Sequence, residues 1–294
     1  MKRTIQILIT AITLGCTTLT AQTINNIDGN KYSLSIGNTT LTVDASKGGK
    51  IVSFKHNDIE ILSQTKIPNS FGSTFWTSPQ SEWNWPPVPE YDMKPFKAEV
   101  KGDALSLIGD KSKRFGYRIL KEFTTDPAEE AFVITYTIVN ESDETRKVAP
   151  WEISRVPNGG ILFFDAKEAV PANKMDGLPF KAEKGVLWYT LDDAQTHRKI
   201  NADGKGWLAF YDKGLLFVKK FQDLKPEEPA PAEAEIQIYA NPGKTFVEIE
   251  EQGAYTTLQP GEKLSWSVRW YLRPFDSQIK PSKALLKKAL SIIE

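Results

Sequence analysis

Leu264-Ser265-Trp266-Ser267-Val268-Arg269-Trp270-Tyr271-Leu272 alternates large apolar side chains with mostly polar ones from end to end. A period of two marks a β-strand, because successive side chains point to opposite faces. Phe132, Ile134, Tyr136 and Ile138 alternate in the same way with Val133, Thr135, Thr137 and Val139. Working outward, similar β-branched and aromatic runs occupy 31–36, 39–44, 50–56, 59–63, 97–101, 104–109, 117–125, 147–155, 160–165, 185–191, 206–212, 214–221, 234–240 and 246–251. Turn residues separate them, among them Asp212-Lys213-Gly214, Asn158-Gly159-Gly160 and Pro260-Gly261. Only Ser282 to Ile293 has apolar residues at helical spacing. About sixteen strands are too many for one flat sheet. The expectation is an all-β fold of two large, curved antiparallel sheets with a short C-terminal helix, and a concave sheet face to hold a site.

Composition narrows the function. The 37 basic and 37 acidic residues balance, which gives nucleic acid and anionic lipid nothing to attract. Lys2 and Arg3, an apolar run from Ile5 to Cys16, and Leu19-Thr20-Ala21 before Gln22 follow the order of a cleaved signal peptide. The run is too short to span a bilayer. The expected organisation is a signal at 1–21 and one β-sandwich domain from 22 to 294, secreted or periplasmic. Cys16, the sole cysteine, sits in that leader, so the mature chain forms no disulfide. Thr13-Leu14-Gly15-Cys16 also bears a faint likeness to a lipobox, with a lipid anchor at Cys16 as the alternative. Residues 225–235, KPEEPAPAEAE, are proline-rich and acidic and are expected to form a mobile surface loop.

Phe71 to Asp92, FGSTFWTSPQSEWNWPPVPEYD, holds three of the eight tryptophans. Its four prolines argue against a helix or a sheet-centre strand. Stiffly held indoles suit the apolar faces of a sugar ring, with each N–H left to bond a hydroxyl. The competing reading buries these tryptophans in the core.

Several stretches resemble the galactose mutarotase-like superfamily: Gly48-Gly49-Lys50-Ile51-Val52-Ser53-Phe54 with Asn57-Asp58-Ile59-Glu60-Ile61-Leu62, Val139-Asn140-Glu141-Ser142-Asp143, and Val247-Glu248-Ile249-Glu250-Glu251-Gln252 before Leu258-Gln259-Pro260-Gly261-Glu262. Phe75-Trp76-Thr77-Ser78-Pro79-Gln80, Trp83-Asn84-Trp85-Pro86-Pro87 and Pro150-Trp151-Glu152-Ile153-Ser154 more narrowly resemble the bacterial domain-of-unknown-function 4380 family. The resemblance implies a β-supersandwich with a sugar-sized groove lined by Trp76, Gln80, Trp83, Trp85 and Trp151. It implies no activity by itself.

Mutarotases of that superfamily pair a glutamate base near the C-terminus with a mid-chain histidine acid. Glu248 and Glu250 share one strand face with Phe246, and Glu250 is the favoured base. The segment where the histidine is expected reads Trp151-Glu152 instead. Of the two histidines, His56 lies beside a turn and His197 in a polar loop. Three outcomes follow, in this order: sugar binding without turnover, Glu152 acting in place of the histidine, or His197 reaching in from its loop. Arg155 and Arg118 are candidates to bind an acidic substituent. The partner expected is a sugar or oligosaccharide, with an envelope module that turns the aromatic segment toward another protein as a further alternative. No zinc-spaced ligand cluster, phosphate loop or nucleophile elbow is present in the sequence, and no cofactor is expected.

Overall fold

The computed structural model describes residues 22–294 apart from 66, 68, 69 and 194, so the leader and Cys16 lie outside the described residues. Twenty-two strands form two antiparallel sheets among the described residues. The first runs, neighbour by neighbour, Gln22–Asn26, Lys31–Ile36, Thr39–Asp44, Lys50–His56, Ser73–Ser78, Arg146–Pro157, Phe246–Gln252, Ile236–Ala240, Arg198–Ala202 and Val170–Pro171. Ile59–Glu60 adds to Lys50–His56, and Thr256–Leu258 adds to Arg146–Pro157. The second runs Lys181–Glu183, Val186–Thr190, Ile161–Phe164, Trp207–Asp212, Leu215–Lys220, Lys263–Pro274, Ala131–Asn140, Tyr117–Asp126, Ala104–Ile108 and Lys97–Lys101.

The period-two reading of the long strands holds. Trp266, Val268 and Trp270 are buried while Ser265 and Ser267 on the same strand face solvent, where they bond to Thr137 and Thr135 of the neighbouring strand. The inward faces of both sheets meet in one apolar cluster. Phe54 packs against Phe132, Phe217 and Trp270, each at 5.4 Å between ring centres. Trp207–Asp212 is buried along its whole length because its outer face is covered as well. The C-terminal helix Lys283–Ile293 lays Leu285 and Ala289 into the cluster that holds Trp207, Val218 and Tyr271. Ser282 caps that helix, its side chain accepting from the Leu285 N–H.

Three expectations change. The prolines of 71–92 do not keep the whole segment out of the sheet, because they begin at Pro79. Ser73–Ser78 precedes them and is a fully buried strand between Lys50–His56 and Arg146–Pro157. Gly72 admits it: a β-carbon there would sit 2.1 Å from the Ile51 carbonyl oxygen. The 225–235 stretch carries no regular element, yet it is tied down. Glu233 accepts the Gln80 N–H and the side-chain amides of Gln237 and Gln252, and Ala230, Ala234 and Glu235 are buried. The strand count rises from sixteen because short or polar strands, such as Arg198–Ala202, lack an apolar alternation.

Candidate functional site

Strand pairing builds the site as rows across one face of the first sheet. Directly paired residues of antiparallel strands share a face. One row reads Arg155, Glu248, Tyr239, Lys199; the next reads Ile153, Glu250, Gln237, Asn201; and Trp76 pairs with Trp151 beside them. These rows floor a cleft of about 440 Å³ lined by Trp76, Trp151, Arg155, Lys199, Tyr239 and Glu250, with Gln80, Trp85, His197, Glu248 and others at its walls. The volume falls in the usual range for small-molecule sites.

Glu250 lies at the floor, fully buried. Its Oε2 accepts from the Trp151 indole N–H at 3.0 Å and from Lys199 Nζ at 3.1 Å. Its Oε1 has no hydrogen-bonding partner. Burial pushes the carboxyl up to about 7; Lys199 pulls it down and Glu248 adds to the rise. Two carboxylates on one strand face repel, and here that repulsion contributes less than burial does. Glu248 is itself paired, accepting from Arg155 Nη2 at 2.8 Å. Arg155 is buried between the rings of Trp76 and Phe246, and its Nε and Nη1 are unpartnered.

The tryptophans divide. Trp151 and Trp76 form the floor, edge to face at 5.5 Å. Trp83 is core: it is buried and donates its N–H to the Thr77 carbonyl. Trp85 stands at the rim, 69% exposed, edge-on to Trp76. Within this segment Trp83 follows the core reading, while Trp76 and Trp85 line the cleft. The expectation of free indole N–H groups in this segment fails for Trp76 as well as Trp83, since Trp76 donates to Asp92; Trp151 likewise donates to Glu250. These bonds orient the two buried rings, with Arg155 over Trp76 and Lys199 over Trp151. Arg114 holds the segment from behind, donating to the Glu82 and Trp83 carbonyls.

Besides Trp83, two expected site residues lie outside the cleft. Glu152 points away from the cleft because it alternates with Trp151. It is buried between the sheets, accepting from Tyr136, Trp270 and Lys219. Arg118 belongs to the second sheet and is committed to Glu141 and the Gly109 carbonyl. His197, the last-ranked acid, lines the same cleft as Glu250. It precedes the strand Arg198–Ala202, and its Nδ1 meets the Tyr239 hydroxyl.

Lys199, Tyr239 and Asn241 were not foreseen. Tyr239 was legible in Ile236-Gln237-Ile238-Tyr239, where polar and aromatic residues alternate with isoleucines. Lys199 was not, since Arg198–Ala202 is mostly polar and reads as loop.

No family model matches the sequence, and no curated protein matches it. Solved structures do. A putative aldose 1-epimerase from Escherichia coli K12 superposes with a TM-score of 0.61 at 14% identity, over 87% of this chain and 100% of that one. A galactose mutarotase-like protein from Lactobacillus casei gives 0.58 at 12% identity, over 82% and 99%. The galactose 1-epimerase of Lactobacillus acidophilus gives 0.53 at 12% identity, over 87% and 99%. At these identities the likeness is one of fold, and the fold of this chain is that of the galactose mutarotase-like proteins.

Proposed function

We propose that the cleft binds a sugar ring and that Glu250 and His197 exchange protons with it, as in an aldose 1-epimerase. The observation that carries this reading is Glu250: a buried carboxyl with one oxygen held, the other unpartnered, and a proton affinity poised near neutrality. In the proposed step Glu250 takes the proton of the anomeric hydroxyl while His197 delivers one to the ring oxygen. The bond between C1 and the ring oxygen breaks, leaving the open-chain aldehyde. Rotation and reclosure on the other face give the second anomer and return both protons. Trp85, the exposed indole at the rim, supplies the face that the sugar packs on, above a floor that Trp76 and Trp151 hold in shape. Two fold neighbours, a putative aldose 1-epimerase and a galactose 1-epimerase, are assigned this class of chemistry.

Binding without turnover is the second reading. It is favoured by the cations already placed on both carboxylates, Lys199 on Glu250 and Arg155 on Glu248. The narrower kinship with the domain-of-unknown-function 4380 family, the extent of the domain over 22–294, and export directed by Lys2 to Ala21 belong to the same proposal.

A thermal-shift screen of residues 22–294 with neutral and acidic aldoses, followed by NMR of anomer exchange, separates the readings. Binding of a sugar to the folded chain raises the melting temperature. Exchange above the buffer rate that is lost in Glu250→Gln supports the epimerase. A shift without exchange leaves recognition alone. No shift with any sugar ends both.

A further inference from the structure

This inference deepens the proton-donor reading of His197 and concerns which of its ring nitrogens does the work. A neutral imidazole carries its proton on one nitrogen only, and the partner of the other decides which. The His197 partner belongs to a chain of hydrogen bonds whose direction is set at its far end. The Pro242 carbonyl can only accept, and it takes the Thr245 hydroxyl at 3.2 Å. Thr245 Oγ1 then accepts from Asn241 Nδ2 at 2.6 Å. That places the Asn241 amide nitrogen toward Thr245, with Pro242 O at 3.5 Å from it, and turns Oδ1 toward Tyr239. The Tyr239 hydroxyl donates to this oxygen at 3.0 Å.

A phenol has one proton to give. With that proton committed to Asn241, Tyr239 can only accept from His197 Nδ1, with which it is in contact. Burial, followed by the charges of Glu248 and Glu250, pushes the Tyr239 phenol above its ordinary range and keeps it protonated. The two rings lie nearly parallel, 20° apart with centres at 5.8 Å, which holds the imidazole plane.

We infer that Tyr239 and Asn241 are positioning residues that fix His197 in the Nδ1–H form and present Nε2 as its proton-exchanging atom. Imidazolium that gives up its Nε2 proton then arrives directly in the tautomer that the chain favours. The lone pair left on Nε2 is ready to take the proton back when the ring recloses.

The test reads the tautomer and needs no substrate. The chain has two histidines, so His56→Gln leaves a single imidazole to observe. In uniformly 15N-labelled protein, at a pH where the ring is neutral, long-range 15N–1H correlation distinguishes a protonated from an unprotonated ring nitrogen. The expected result is a protonated Nδ1 and an unprotonated Nε2. Tyr239→Phe removes the acceptor and should move the tautomer ratio toward Nε2–H by about tenfold, the worth of one hydrogen bond. Asn241→Asp keeps an acceptor facing Tyr239 and should retain Nδ1–H. An Nε2–H ring in the parent protein overturns the inference, as does a ratio indifferent to Tyr239→Phe or reversed by Asn241→Asp. If the tautomer is as expected but no sugar binds, the functional reading falls while this one stands.

Discussion

Glu250 owes its raised proton affinity to where one strand places it. Ordinary glutamate, at 4.5, is ionised at neutral pH; burial brings Glu250 to about 7. A base works only when ionised, so the limb of the kcat/KM profile that Glu250 sets should rise with pH through an apparent pKa near 7. Lys199 holds the carboxyl down, so Lys199→Met should move that limb to higher pH. A limb that stays near 4.5, or does not move, would remove Glu250 from the role. Glu235 is likewise brought to about 7 by burial. Both groups bind their proton more tightly folded than unfolded. Their stabilising share is therefore complete below about 4.5 and is lost as pH rises through 7. The neighbouring tryptophans separate packing from binding. Trp83→Ala should cost about 3–5 kcal/mol of stability, as a buried indole lost from a core does. Trp85→Ala should leave stability within about 0.5 kcal/mol and weaken sugar binding by about tenfold. Urea unfolding and titration calorimetry measure the two effects, and equal loss of stability in both variants would contradict the division.

At the scale of elements, the cleft is a strand face closed by irregular segments. The 79–92 segment supplies one wall, and the 225–235 segment fastens it through Glu233, which accepts from the backbone of Gln80 and from Gln237 and Gln252. Glu233→Ala leaves three donors without their acceptor, two of them on the floor sheet. The expected cost is about 1–3 kcal/mol, with faster protease cleavage within 225–235 and weaker sugar binding. Unchanged cleavage would show that the buried alanines and Glu235, which accepts the Gly206 and Leu224 N–H groups, hold the segment without Glu233. The proline-rich composition suggested mobility because it cannot form a helix or strand; absence of regular structure and absence of order are separate properties.

At the scale of the molecule, the two sheets meet around an ion cluster as well as around apolar side chains. Lys219, wholly buried, pairs with Glu152 at 2.6 Å and with Glu251, and donates to Ser154. Burial raises both carboxyls. In Glu152 the charge of Lys219 and the bonds it receives outweigh burial and lower it, whereas Glu251 stays well above its ordinary value. Lys219→Met would strand the Glu152 charge and should cost about 3–5 kcal/mol in urea unfolding, a loss far beyond that of a similar swap on the surface. A variant as stable as the parent would mean that both carboxyls are neutral in the fold. Period-two alternation determined the long strands, the turn residues their ends, and Ser282 with its helical spacing the C-terminal helix, because these rest on neighbours in the chain. The face shared by Phe246, Glu248 and Glu250 was legible for the same reason. Which of two adjacent residues met the cleft was not: Trp151 and Glu152 differ by one position and by a whole face, and only the pairing of Arg146–Pro157 with Phe246–Gln252 sets that register. Local sequence likewise could not bring His197 to Glu250. That meeting depends on strands far apart in the chain lying side by side, so it was decided by tertiary structure alone.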